Sequence, residues 1–158
     1  MNKQVKKIYI ACSMIKATKL DFSLLDILID FVEKQNYQVF VPGKMKDTAS
    51  KAVFERDMNW LRNSSKIIAD VNEPSHGVGM EIMYAYLHNI PVICLMNENN
   101  KPLSRMVEGS PHTLTIYYSS KKDIEQKLKN VNLDETKILN CSNCGEKTIH
   151  LNDICLKC

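Results

Sequence analysis

The chain of 158 residues is short of the residues that punctuate loops and of large rings, with five glycines, five prolines and one tryptophan. So little Gly and Pro excludes a collagen-like or low-complexity chain. Long apolar runs are missing too: no stretch approaches the roughly 20 residues that span a bilayer. An apolar run over 8–15 follows the lysine-rich residues 1–7, but Lys16 ends it and no small-residue cleavage site comes after, so a secretory signal is not expected. Nor is there a block of one charge. The 21 basic and 18 acidic residues are scattered, for a net +3, and neither a nucleic-acid arm nor a membrane partner is expected. The expected location is cytoplasmic, where six cysteines read as thiols or metal ligands rather than disulfides.

What is present is an alternation. Apolar runs at 7–12, 38–41, 66–71, 91–96 and 113–117 read as strands. Helical patterns at 20–35, 50–63, 79–88 and 121–130 lie between and after them, the first placing Leu24, Leu25, Leu28, Phe31 and Val32 at helical spacing. Parallel strands need crossover helices, so the pattern predicts an α/β fold: a doubly wound, flavodoxin-like or Rossmann-like parallel sheet of five strands. The α/β domain is expected to occupy 1–130 and a polar linker 131–140. In such a sheet the ligand crevice lies outside the carboxyl ends of the strands.

Residues 141–158 carry a second motif. Cys141 and Cys144 form one CxxC pair, Cys155 and Cys158 another, ten residues apart. Four thiolates on two such knuckles suit one tetrahedral Zn²⁺, and Gly145 suits the tight turn of the first. A redox disulfide pair is the rival. With all four positions filled by sulfur, the zinc would be structural, and no cofactor is expected for catalysis.

Among the post-strand segments, Glu73-Pro74-Ser75-His76-Gly77-Val78-Gly79-Met80-Glu81 is the richest. Gly77 and Gly79 let backbone come close to a ligand, and a helix N-terminus offers N–H groups to an anion. Its spacing is not that of the GxGxxG dinucleotide fingerprint. Glu81 is expected in the first helical turn, where the helix dipole favours an ionised carboxylate. Such a group can attack a sugar C1′, or can simply complement the dipole. Asp57 shares a helical face with Val53, Phe54, Trp60 and Leu61, and an acid on an apolar face needs a partner or a task. Tyr9 and Trp60 can stack a base or serve as core. His76 can face base, phosphate or solvent.

Four segments in order carry a resemblance. They are Ile8-Tyr9-Ile10-Ala11-Cys12-Ser13, then Phe54-Glu55-Arg56-Asp57-Met58-Asn59-Trp60-Leu61, then Pro74 to Glu81 as quoted, then Leu103-Ser104-Arg105-Met106-Val107. Together they resemble the nucleoside 2-deoxyribosyltransferase superfamily, and within it the 2′-deoxynucleoside 5′-monophosphate N-hydrolase branch. The resemblance implies hydrolysis of the N-glycosidic bond through a covalent glycosyl-enzyme on Glu81, with Asp57 orienting the reacting groups and assisting the leaving base. It implies a 5′-phosphate held by Ser13, Ser75 and Ser104, the last lent by the partner of a homodimer. Two departures stand out. The chain has Cys12-Ser13-Met14-Ile15 where the branch has a glycine before the serine and an arginine after it, leaving Lys16 or Lys19 as substitutes. It also lacks a histidine in the loop at Pro42-Gly43-Lys44. The alternatives are base exchange between deoxynucleosides and a non-catalytic nucleotide sensor.

Overall fold

Three runs of Ile, Val, Leu and Ala are buried along almost their whole length: β1 (Lys7–Ala11), β3 (Lys66–Asp70) and β4 (Val92–Asn97). Burial on both faces is what central strands of a parallel sheet require. In the computed structural model, which describes residues 5–13, 22–42 and 49–158, they form the middle of a five-stranded sheet. Outside them lie β2 (Gln38–Phe40) and β5 (Thr113–Tyr118). The order is β2-β1-β3-β4-β5 and every pairing is parallel. Of the two doubly wound orders expected, this is the flavodoxin-like one.

Alternate side chains of each strand feed two cores. On one face Ile8, Ile10, Ile68, Ile93 and Leu95 meet Leu24, Leu25 and Leu28 of α1 (Phe22–Lys34) and Ile124 and Leu128 of α5 (Lys121–Leu128). On the other, Tyr9, Ala11, Ile67, Ala69 and Cys94 meet Leu61 of α2 (Ser50–Arg62) and Val78, Ile82 and Ala85 of α3 (His76–Leu87). A short helix, α4 (Arg105–Glu108), lies between β4 and β5. Strand order reverses between β1 and β3, so the loops after these two strands open the crevice in which such sheets take ligands.

The chain after α5 departs from the expected linker over 131–140. Val131 and Leu133 are buried in the first core, and β6 (Thr136–Asn140) pairs antiparallel with β7 (Lys147–Leu151), which pairs with β8 (Ile154–Cys155). The cysteines therefore belong to a three-stranded ribbon that starts before Cys141. Polar residues such as Lys137 and Asn140 hide the strand in the sequence, and of its cross-strand partners only Ile149 is both aliphatic and fully buried. Among the described residues, no helix is long and apolar enough to cross a membrane.

Candidate active site and cysteine centre

Helix α3 begins earlier than its sequence suggests. Ser75 is its N-cap, accepting a hydrogen bond from the Val78 N–H at 3.4 Å, and His76 is the first helical residue. Glu81 is thus the sixth residue of the helix, in its second turn, beyond the first turn over which the helix dipole acts. The expectation of a carboxylate kept ionised by the helix terminus is therefore corrected. Burial pushes the Glu81 carboxyl up to about 7, the Asp57 charge pushes the same way, and a hydrogen bond from Tyr9 opposes them.

That bond is the tightest feature of the site: the Tyr9 hydroxyl donates to Glu81 Oε1 at 2.6 Å. Tyr9 is fully buried in β1, with its ring 5.6 Å from that of Phe40. Burial first, then the neighbouring Glu81, holds its phenol far above the ordinary value, so it stays a proton donor throughout the working range of pH. Tyr9 is neither simple core nor exposed for stacking. The sequence signal was available, since a tyrosine inside a buried apolar strand must find its hydroxyl a partner.

Asp57 accepts from Arg56 Nε at 2.7 Å, and both side chains are largely covered. Its charge is felt by both Glu81 and Tyr9. The helical face it was expected to share is only partly buried: Leu61 is covered and Trp60 stacks on Phe40 at 4.5 Å, but Phe54 is 54% exposed. Across the sheet edge, Cys12 has its thiol pushed up to about 12, by burial first and then by the charges of Asp70 and Glu81. Asp70 at the end of β3 and Cys12 beyond β1 therefore share surroundings with the carboxylate.

The remaining expected ligands are accessible. Ser13 follows β1 and is half-buried, and Ser75 caps α3. His76, Gly77 and Gly79 are exposed. A side-chain carbon added at Gly79 would meet nothing within 4 Å, and at Gly77 only the Ser75 hydroxyl at 3.9 Å. Nothing among the described residues therefore demands glycine at either place. Ser104 precedes α4, is exposed, and its hydroxyl makes no capping bond. Among the described residues, no contact within the one chain brings it together with Glu81. Lys16, Lys19, and Gly43 with Lys44 lie outside the described residues.

One residue went unnoticed in the sequence. Asn72, just past β3, donates to Asp70 at 2.7 Å and to the Tyr118 hydroxyl at 2.8 Å. Its Oδ1 accepts from the Asn97 N–H at 2.6 Å and Asn100 Nδ2 at 3.1 Å. It ties together the carboxyl ends of β3, β4 and β5, and a lone asparagine in a loop carries no pattern that would reveal this. A groove of about 650 Å³ between α1 and α5 includes Phe31 and Val131 in its walls and lies against the opposite core from Glu81.

The four ribbon cysteines converge. Their sulfurs all lie within 4.8 Å of one another and could hold a metal ion. Gly145 has φ +74, the left-handed turn expected of it, and its N–H donates to the Cys141 carbonyl at 2.9 Å. Hydrogen bonds from the Cys144 and Asn143 backbones draw the Cys141 thiol below its ordinary value, and the Thr148 hydroxyl with the Lys157 N–H does so for Cys155. Donors aimed at sulfur are the outer support that thiolate ligands use.

Fold and site together define an α/β protein of the flavodoxin-like type that holds a protonated tyrosine against a carboxylate. The family model for nucleoside 2-deoxyribosyltransferase matches residues 8–136, and the chain belongs to that family. A Syntrophotalea carbinolica protein named as a 2′-deoxynucleoside 5′-phosphate N-hydrolase is 38% identical over 93 residues, which cover 58% of this chain and 64% of that protein. One of the same name from Nematostella vectensis is 29% identical over 77% of this chain and 89% of its own length. In fold, the chain is similar to the Clostridium botulinum CMP N-glycosidase, with TM-score 0.64 and 21% identity over 78% of this chain and 98% of that one. These names support cleavage of a nucleotide N-glycosidic bond as the class of reaction.

Proposed function

We propose that the chain hydrolyses 2′-deoxynucleoside 5′-monophosphates to free base and 2-deoxyribose 5-phosphate. The observation that carries this is the Tyr9–Glu81 pair: a half-buried carboxylate, positioned from the sheet and near neutrality in its titration, beside the charge of Asp57. A Glu81 oxygen attacks C1′, the C1′–N bond breaks, and the base departs with the bonding electrons, taking a proton whose delivery Asp57 assists. Water then attacks C1′ of the ester, its proton is taken up, and the sugar phosphate leaves with Glu81 restored. Tyr9 keeps one Glu81 oxygen occupied and leaves the other to react.

Ser13, Ser75 and Ser104 supply hydroxyls to the 5′-phosphate. The first N–H groups of α3 beside Gly77 add to them, and His76, exposed at the same helix end, adds a ring N–H. Gly79 keeps that side of the helix open. Ser104 comes from the partner of a homodimer. Met80, Met83 and Leu87 on α3 are 62%, 49% and 63% exposed, an apolar ridge that a second copy would cover. The ribbon holds one Zn²⁺ through Cys141, Cys144, Cys155 and Cys158. This zinc is structural, because Ile149 of the ribbon bonds the loop before β5, at the amino end of the sheet, away from the crevice. The α/β domain and the ribbon act as two units, and thiolate ligands suit a cytoplasmic location.

Incubating the common deoxynucleoside monophosphates with the protein and a second free base tests this. Released base with sugar phosphate supports hydrolysis, whereas a new nucleoside would mark base exchange. A 2′-fluorinated analogue, which slows breakdown of the ester, should leave its sugar phosphate on the peptide containing Glu81. An adduct on any other residue overturns the mechanism.

A further inference from the structure

The ribbon is the one motif that the proposed chemistry leaves without a task. The ribbon meets the main domain at residues 108–112, besides Leu151 on the first core, and Ser104 is tied to this stretch by its carbonyl, which accepts from the Glu108 N–H at 2.9 Å. The N–H of Ile149, a residue with no exposure, donates to the Pro111 carbonyl at 2.8 Å. Lys157, between the last two cysteines, reaches the Glu108 carbonyl at the end of α4 at 3.4 Å. His112 is 4% exposed, its ring centroid lies 4.9 Å from that of Tyr86 near the end of α3, and its Nδ1 is buried with no hydrogen-bond partner among the described residues. The stretch is thus held from outside by the ribbon and by α3.

From inside, it is held by β5. Thr113 Oγ1 donates to the carbonyls of Val107 at 2.9 Å and Ser110 at 3.0 Å, and the Tyr117 hydroxyl to Glu108 at 3.1 Å. Four-residue α4 cannot sustain itself, since a helix so short does not pass its own nucleation barrier. Its position is set by these attachments. The ribbon, with one aliphatic side chain fully buried, depends in turn on what joins its four sulfurs.

We propose that the ribbon is a metal-dependent clamp on residues 104–112, which positions Ser104 for the phosphate of the substrate bound by the partner subunit. The phosphate part rests on the proposed function, while the mechanical part stands on the contacts alone. The ribbon is a positioning element and makes no contact with reacting atoms. Its arrangement is in trans: each ribbon serves the site of the other protomer.

The test compares full-length protein as purified with the same protein stripped by a zinc chelator and with Cys158→Ser, following amide hydrogen exchange and steady-state kinetics. Stripping should expose the β7 amides and raise exchange over residues 105–113 at least ten-fold, with β1 and β3 unchanged. KM for the monophosphate should rise several-fold while kcat stays within about two-fold. Lys157→Met, which keeps every sulfur, should show the same pattern in weaker form with the metal retained, and covers the case in which the stripped protein aggregates. Free exchange of β7 with residues 105–113 as protected as before would overturn the clamp, as would protection of β7 after complete removal of the metal. Absence of hydrolysis by untreated protein would sink the proposed function and leave the exchange result to judge the clamp.

Discussion

The five-stranded sheet fully buries Ile8, Ile10, Ile67, Ile68, Ile93 and Leu95, whereas the three-stranded sheet has a single aliphatic side chain, Ile149, in that condition. The larger region has apolar layers on both faces and helices to cover them. The smaller has one fully buried aliphatic residue, two buried threonines and four converging sulfurs. The two lie on one chain and pack together, yet a change that ruins one should leave the other standing. Burial of area holds the first, and the proposed coordination would hold the second.

The sharpest way to break the comparison is to remove the metal. Structural zinc contributes on the order of 10 kcal/mol to modules of this size, so a chelator should unfold β6 to β8 while the α/β domain keeps its cooperative melt, as circular dichroism and exchange at β3 would show. Metal analysis of protein purified without chelators should find about one zinc per chain, as expected for one tetrahedral site.

Next in size is Glu81→Gln, which keeps shape but removes the nucleophilic charge. Turnover should fall at least about a thousand-fold, roughly 4 kcal/mol, with substrate still bound. The same change should stabilise the fold at high pH. The Glu81 carboxyl is raised to about 7, so its stabilising, protonated form is fully present below its unfolded value and is lost as pH rises through about 7. Above that pH the variant should be more stable by on the order of 2 kcal/mol, since each pKa unit corresponds to about 1.4 kcal/mol. In the parent protein, kcat/KM should rise with pH through about 7 as the carboxylate forms.

Leu28→Ala, at a site with no exposure between α1 and the sheet, should cost about 2–5 kcal/mol by urea titration without altering metal content. Tyr9→Phe removes only the hydroxyl that lowers the Glu81 titration, so the rising limb of the pH profile should move up by about one unit, as expected for a bond to a charged group worth about 1.5–3 kcal/mol. Ser104→Ala should raise KM for monophosphates about ten-fold and leave the oligomeric state by light scattering unchanged, because the same class of bond is lost from an exposed position.

The sheet was legible in the sequence because central parallel strands write themselves as unbroken apolar runs, and β1, β3 and β4 are such runs. The four cysteines were legible because ligand spacing is local. The start of α3 was not: Pro74, Gly77 and Gly79 read as loop, and the helix forms there because Ser75 caps it and Val78 and Ile82 find burial. Tertiary contact overrode local propensity. Strand β6 was hidden for the opposite reason, since its residues are mostly exposed and polar and write no apolar run. Tyr9 and Asn72 act across the fold, on Glu81 72 positions away and on Asn97 25 positions away, and no local pattern announces such reach.

The stacked pair of Phe40 and Trp60, with planes 8° apart and the Lys7 ammonium 5.0 Å from the indole, has an optical consequence. Trp60 is the sole tryptophan, on the helix that carries Asp57 and one face away from Tyr9. Its emission therefore comes from a single place, and any tilt of α2 as a nucleotide enters would change the ring overlap and the distance to that cation. The molecule carries its own fluorophore on the helix of Asp57, so a movement of that helix on loading and emptying can be timed in a stopped-flow instrument without a label.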